Sequence, residues 1–521
     1  MLITTLRVFH IALAATVMCV LLNVSQVQAM ENSLRGPQAT EKSSGEPAQH
    51  DAGELAWTVS GVLDWQSPED LAEKLSQKQE LRARAWMGTR FDITEEAPDP
   101  DDPDGSGKDK GAMSGLPVEE VLGGTGERIG LMPGDHLVSL NGQHVANMDV
   151  LRSIISEYCE GDALKAVVIR ESKEHILEGT FASRGPETHP NSEVIYTSAP
   201  FRDGLLRVII NKPAGEEPMP ALLLIPGYTC ASIDHLRETH PYRRLIDAYV
   251  DAGYVTLRIE KSGLGDSWNT PECASTDLHD EIESFEQGLK MLKSLPYVDP
   301  FRIIIYGHSM GGVVAPAISA RHDVAGVIVY GTTALSWFEY MLGLVRVQNE
   351  LAGMDPIKHE QSVVDTYEMY YRFYIEEESL EDMAEEVRMD SLLRTRMNYD
   401  DEEGRIYGRN PAYWRQIHRE PHLENWKNTT AQVLVQFGES DFQAYSLSAH
   451  EQIVKTVNHY HPGNATLAVF PLTDHYFAKS GTMQEAYDKL IGGQVLQLFD
   501  EYNPEVGNSA VAWSNGVVRM S

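Results

Sequence analysis

The sequence predicts an α/β protein: a doubly wound, mostly parallel sheet with a helical insertion over residues 190–521, preceded by a small β-rich domain. Three observations carry this. Short apolar runs at 221–225, 254–259, 303–306, 324–330, 432–437 and 465–470 alternate with helical periodicity, the pattern of strands covered on both faces. One run leads straight into Gly307-His308-Ser309-Met310-Gly311 and a small-residue helix, which reads as strand, sharp turn and helix with Ser309 at the apex. Upstream, Pro133-Gly134-Asp135, His136–Leu140 and Asn141-Gly142 read as turn, strand and tight turn.

At 521 residues the protein has room for several domains and a large core. Hydrophobic residues make up 42% and charged residues 23%, an ordinary globular balance. The formal net charge of −34 argues against nucleic acid as a partner, because phosphates would be repelled.

Residues 1–29 read as a signal peptide. Arg7 precedes an apolar run over 8–24, and Val27-Gln28-Ala29 supplies the small residues for cleavage after Ala29. The run is near the lower limit of a membrane span, so an uncleaved anchor is the competing reading. Either way the remainder is expected to be exported, periplasmic or secreted. Met18 is too bulky for Cys19 to be a lipoprotein cysteine. Residues 30–80 are a lead-in, disordered at first and ending in a helix over 70–84.

From 81 to 184 a second organisation is visible. Trp86-Met87-Gly88-Thr89-Arg90-Phe91 is followed by an acidic, Pro/Gly-rich insertion over 94–114. Ordered sequence resumes at Leu116-Pro117-Val118 and runs through Ile129-Gly130-Leu131-Met132-Pro133-Gly134-Asp135 to Asn141-Gly142. A helix over Met148–Ser156 and a strand over 164–170 follow. This segment resembles a PDZ domain of the bacterial exported type. The resemblance implies an exposed strand edge and a helix groove for an extended peptide, usually the C-terminal end of a protein. Its carboxylate-binding loop maps onto Trp86, Met87, Gly88, Thr89, Arg90 and Phe91. Packing against the following domain is the alternative role.

A linker over 185–191 leads to the C-terminal domain. Two strands, 193–198 and 205–211, precede the buried strand 221–225, which ends in Pro226-Gly227-Tyr228-Thr229-Cys230. A helix over 245–252, the strand 254–259 and the loop Gly263-Leu264-Gly265-Asp266-Ser267 come next. Leu278, Ile282, Phe285, Leu289 and Leu292 share one face of a helix over 278–295. Alone, Gly-x-Ser-x-Gly is a weak signal that a glycine-rich turn also satisfies. Here two later strands end in chemistry: Gly438-Glu439-Ser440-Asp441-Phe442 and Pro471-Leu472-Thr473-Asp474-His475.

The order of these parts resembles an α/β-hydrolase domain, over about residues 194–500. The resemblance implies Ser309 as nucleophile, His475 as general base and Asp441 as the orienting acid, in the sequence order Ser, Asp, His that the fold uses. It places the oxyanion hole at the backbone N–H groups of Tyr228 and Met310. Asp474 competes with Asp441, but adjacency to His475 places it poorly for a bond to that ring. His308 is expected to be structural, and His235, His240, His279, His459 and His461 surface or loop residues. No spacing suggests a metal, and no cofactor is implied.

Cys230 and Cys273 both lie in polar loop sequence, so an exported protein can join them in a disulfide; two unpaired thiols are the alternative. Residues 332–428 interrupt the strand rhythm with aromatic and helical sequence (Trp337, Phe338, Tyr340, Tyr367, Tyr370, Tyr371, Phe373, Tyr374), where this fold inserts a lid. These aromatics either shape an apolar pocket or pack the insertion onto the core.

The resulting expectation is an exported serine hydrolase acting on carboxylic esters through an acyl-enzyme. Two alternatives stand beside it: a serine peptidase of aminopeptidase type, and a non-catalytic peptide-binding protein that uses the hydrolase fold as scaffold. The partners are a small-molecule ester or a peptide, with a C-terminal peptide as candidate ligand of the PDZ-like segment.

Overall fold

The computed structural model describes residues 81–92 and 115–519. The signal peptide, the lead-in to residue 80 and the acidic insertion lie outside the described residues. Strands β1 (Thr89–Phe91), β2 (Leu116–Val121), β3 (His136–Leu140), β4 (Gln143–His144), β5 (Ala163–Arg170) and β6 (Lys173–Thr180) form an antiparallel sheet. Its order is β1-β2-β3-β5-β6, with β4 paired to β3. Helices α1 (Gly124–Ile129) and α2 (Met148–Ser156) belong to the same unit, whose core includes Leu137, Leu140, Leu151, Ile154, Val168 and Phe181. Asn141 and Gly142, both at positive φ, turn β3 into β4, as an Asn-Gly pair does at least steric cost.

Of the helix expected over 70–84, only residues 81–84 are described, and they are not helical. Arg84 pairs with Cys159 in an isolated antiparallel bridge. Its N–H donates to Asp266 Oδ1 at 2.8 Å and its guanidinium to Ser267 O at 2.9 Å, both in the C-terminal unit. Backbone pairing at a fixed docking point overrides the helix propensity of this stretch.

The larger sheet comprises β7 (Ser192–Phe201), β8 (Gly204–Pro213), β9 (Met219–Ile225), β10 (Val255–Ile259), β11 (Val298–His308), β12 (Gly326–Tyr330), β13 (Gln432–Gly438) and β14 (Ala465–Phe470). Its order is β14-β13-β12-β11-β9-β10-β8-β7. From β14 to β10 every pairing is parallel; β8 runs antiparallel to β10 and forms a hairpin with β7. Alternate residues of the central strands enter different cores, which is why these strands read as unbroken apolar runs. Leu223, Ile305, Val327 and Val433 pack on one side with α4 (Leu278–Ser294) and α5 (Gly311–Ser319). Leu222, Ile304, Ile328 and Leu434 pack on the other with α3 (Pro241–Asp251) and the C-terminal helix Pro504–Val517.

The ends of these helices follow local chemistry. Asp277 and Asp280 form a reciprocal capping box at the start of α4, and Pro241 occupies the first turn of α3. His240 is a half-buried loop residue in the bend before α3, where it caps the helix by accepting the Tyr242 N–H and packs against Phe499. Its burial pushes its pKa down to about 4.

Between β12 and β13 the fold inserts α6 (Trp337–Leu351), α7 (Pro356–Tyr370), α8 (Leu380–Ala384), α9 (Val387–Met397), α10 (Pro411–Arg419) and α11 (His422–Asn428). Its aromatics divide: Phe373 and Tyr374 are buried in the main core, whereas Tyr367 and Tyr371 are exposed and stacked on each other. Cys230 and Cys273 are joined by a disulfide with Cα atoms 5.8 Å apart. Among the described residues no helix is long and apolar enough to cross a membrane.

Candidate active site

Strand β11 ends at His308, and the backbone reverses into α5 through Ser309, which is held at φ 56. Positive φ at a non-glycine residue is strained, and here hydrogen bonds maintain it. The Ser309 N–H donates to Tyr330 O on the neighbouring strand (2.9 Å), and the Gly312 N–H donates to Ser309 O (2.9 Å). The flanking glycines are required by space. A Cβ at Gly307 would stand 2.2 Å from Gly311 O, and one at Gly311 would stand 2.2 Å from Ile225 O.

His475 lies on the loop after β14 and Asp441 on the loop after β13, and the parallel pairing of these strands brings both loops to one edge. His475 Nδ1 is 2.8 Å from Asp441 Oδ2. Asp441 is completely buried, and its Oδ1 accepts the N–H groups of Gln443 (2.8 Å) and Ala444 (2.7 Å). Burial alone would raise the Asp441 pKa. The His475 ring and the two amides prevail and hold it below the ordinary carboxylate value. Asp474 turns away: its Oδ1 accepts the N–H groups of Tyr476 and Ala478, and burial pushes its pKa up to about 6.

His308 faces away from the cavity. Tyr242 OH accepts the Gly227 N–H (3.2 Å) and lies 2.7 Å from His308 Nδ1, and His308 Nε2 lies 2.9 Å from His475 O. The arrangement suits a Tyr242 donor to Nδ1 and an Nε2–H donor to the carbonyl. Burial, reinforced by neighbouring His475, pushes the His308 pKa down to about 3, so the ring is neutral. His308 therefore ties the loop after β9 to the backbone of His475.

Ser309, His475, Tyr228 and Met310 all line one cavity of about 110 Å³. The helical insertion supplies Trp337, Tyr340, Tyr370 and Trp414 to its wall, with Gln348 and Arg396 among the polar members. Trp337 stacks on Trp414, and Tyr228 meets Trp414 edge-on. The loop residues Trp86–Phe91 take no part. Met87 and Phe91 are buried in the small unit, and the carbonyls of Trp86, Met87 and Gly88 accept N–H groups of Thr125, Gly126 and Leu122.

Sequence reading missed several residues of this neighbourhood: Tyr242, Lys261, Glu281, Gly331 and Arg409. Two carried a signal. Gly331 directly follows a strand aimed at the site, and its Cβ position is filled by Asp441 and His475. Glu281 lies three residues after Leu278 and four before Phe285, an acid on the apolar stripe of α4.

Fold and site together define a class: doubly wound α/β proteins that carry a serine at a strand–helix elbow and a histidine–carboxylate pair at the same sheet edge. A model of the alpha/beta hydrolase family matches residues 222–485, and the chain belongs to that family. No curated protein sequence matches it. Among solved structures it is similar to Est1E from Butyrivibrio proteoclasticus with ferulic acid bound (TM-score 0.36, 16% identity, covering 58% of this chain and 99% of that one). It is also similar to the esterase Pf2001 of Pyrococcus furiosus (TM-score 0.35, 14% identity, 60% and 97%). A third likeness is to an acylaminoacyl peptidase of Pyrococcus horikoshii (TM-score 0.37, 13% identity, 66% and 48%).

Proposed function

We propose that the protein is an exported serine hydrolase that cleaves carboxylic esters through an acyl-enzyme. One observation carries the reading: strained Ser309 and Asp441-bound His475 open onto the same cavity. Ser309 Oγ attacks the ester carbonyl carbon as its proton passes to His475 Nε2. Asp441 keeps the proton on Nδ1 and stabilises the imidazolium. The backbone N–H groups of Tyr228 and Met310 receive the oxyanion, Met310 at the N-terminal end of α5. Collapse expels the alcohol, protonated by His475, and a water activated by the same base releases the acid.

The aromatic wall contributed by the insertion favours an apolar acyl or aryl group, with the insertion acting as a lid. The N-terminal unit is read as a PDZ-like module whose ligand would be a C-terminal peptide. A fluorophosphonate probe tests the centre: wild type should label and Ser309→Ala should not. Equal labelling of the two, or none of wild type, removes the reading. Turnover of short-chain p-nitrophenyl esters against aminoacyl-arylamides then decides between esterase and peptidase. For the N-terminal unit, an array of C-terminal peptides with no binder would assign it a packing role.

A further inference from the structure

Behind the loop that follows β9 lies a buried ionic cluster that the acyl-transfer steps do not use. Lys261, two residues past the end of β10, donates from Nζ to Gly227 O at 2.5 Å and to Glu281 Oε1 at 2.9 Å. Arg409, from the insertion, donates from Nη1 to Tyr228 O at 2.6 Å and from Nη2 to Glu281 Oε2 at 3.0 Å. Thr276 Oγ1 accepts a further Arg409 N–H, Tyr413 OH donates to Glu281, and the Arg409 guanidinium lies 3.9 Å from the Tyr413 ring centroid. All three charged side chains are almost completely buried, at 4%, 1% and 2% exposure for Lys261, Arg409 and Glu281. Two cations thus share one carboxylate.

A structural ion pair needs one cation per carboxylate. The second donor set of each cation here goes to consecutive backbone carbonyls of one loop. The Gly227 carbonyl and the Tyr228 N–H are opposite ends of a single planar peptide unit. An ammonium on that oxygen polarises the unit and fixes the direction of its N–H; the guanidinium on Tyr228 O fixes the next unit. We infer that Lys261 and Arg409 are positioning residues for the oxyanion donor: with Glu281 they aim and polarise the Tyr228 peptide, and their excess positive charge favours the anion that forms in front of it. The inference rests on the proposed hydrolase reading. Because Arg409 comes from the insertion, it also links the seating of that insertion to the state of the oxyanion loop.

The charge count makes the test practicable. Lys261→Met leaves Glu281 and Arg409 as a neutral pair, and Arg409→Met leaves Glu281 and Lys261 as one, so neither strands a lone buried charge. With p-nitrophenyl butyrate, each variant should lose at least ten-fold in kcat while KM moves less than about three-fold, the signature of an interaction realised in the transition state. Affinity for a boronic acid, which forms a tetrahedral adduct on serine, should fall in step with kcat. Arg409→Lys should retain more of kcat than Arg409→Met. A second measurement needs no Lys261 substitution. Burial pushes the Lys261 pKa down to about 8, with Glu281 opposing the shift and Arg409 adding to it; Tyr413 packs beside them. Wild-type kcat should therefore fall as pH rises through about 8, and that limb should move to higher pH in Arg409→Met. Unchanged kcat in both Met variants, boronate affinity that does not follow kcat, or an alkaline limb that stays in place would overturn the inference while wild type remains active. A wild type that neither labels nor turns over ester removes the hydrolase reading itself.

Discussion

Gly331→Ala tests the site at its most crowded point. Gly331 follows β12 at φ 60, and a Cβ built there stands 3.0 Å from both Asp441 Oδ2 and His475 Nδ1, the two atoms that form the 2.8 Å hydrogen bond. Holding alanine at this φ costs about 1–2 kcal/mol. Restoring ordinary contact, roughly 3.5 Å or more, requires each partner to recede by about 0.5 Å. Asp441 cannot follow easily, since its other oxygen is bound by two amides and its side chain is fully buried. The yielding group is the His475 ring. A weakened charge-assisted bond of about 1.5–3 kcal/mol translates into a loss of about 10- to 100-fold in kcat.

The assay is steady-state hydrolysis of p-nitrophenyl butyrate beside a thermal melt. The expected result is a melting temperature lowered by a few degrees, kcat down by one to two orders of magnitude (roughly, by the energies above) and little change in KM. A folded Gly331→Ala protein with kcat within two-fold of wild type would refute the reasoning. It would mean that the His475–Asp441 contact is not the geometry on which turnover depends.

Three further outcomes are expected. Asp441→Asn should keep the fold but lower kcat by about 10³–10⁴-fold, because the amide no longer selects the Nδ1–H tautomer; a ten-fold loss or less would point to another orienting acid. Replacing both Cys230 and Cys273 by serine opens a loop with a sequence separation of 43, and should cost about 4 kcal/mol on the chain-entropy treatment. A wild-type melt unchanged by reductant would contradict it. The third concerns Glu260, whose pKa burial raises from 4.5 to about 7, against the donors Ser232 Oγ–H and Ile233 N–H, with Asp234 and Arg258 as charged neighbours. A folded-state pKa above the unfolded one means stability that is full at low pH and lost as pH rises through about 7, worth about 3 kcal/mol in all. Glu260→Gln should therefore gain on wild type in melting temperature between pH 5 and pH 8, and a pH-independent difference would refute the assignment.

What was legible in the sequence follows from which constraints are local. Each parallel strand announces itself because both its faces are buried, so residues such as Leu222 and Leu223 are both apolar although they enter different cores. That Ser309, Asp441 and His475 meet at one sheet edge was legible for a related reason: each is a polar residue in a turn directly after such a strand. The Gly307 and Gly311 requirement is likewise local, set by backbone approaching backbone. Lys261 and Arg409 were not legible, and Glu281 stood out only as an acid on an apolar stripe, because their joint meaning exists only across separations of 20 and 128 residues. Before the fold is known, a lysine beside a glycine loop and an arginine in an aromatic insertion read as surface residues. His240 lies in a loop as expected, but its capping and packing were not legible for the same reason. Nothing local shows that Phe499, far along the sequence, covers it.

The sheet explains why so many distant residues meet. Tyr228 follows β9, Lys261 follows β10, Ser309 follows β11, Gly331 follows β12, Asp441 follows β13 and His475 follows β14. Every strand of the parallel set thus delivers one group just past its C-terminal end, where an open α/β sheet places its ligand. Interstrand hydrogen bonds fix the mutual heights of these ends: Tyr306 pairs with Leu224 and with Ile328, and Gly438 with Phe470. The relative placement of Ser309, Asp441 and His475 is therefore set by the register of the sheet. The other wall of the cavity has a different origin. It comes from helices between β12 and β13 that add no strand to the ladder, and it is held by side-chain contacts such as Trp337 on Trp414 and Arg409 on Tyr228 O. Under the proposed function, chemistry would sit on the ladder and selection on the insertion, and Arg409 is the point at which the second reaches into the first.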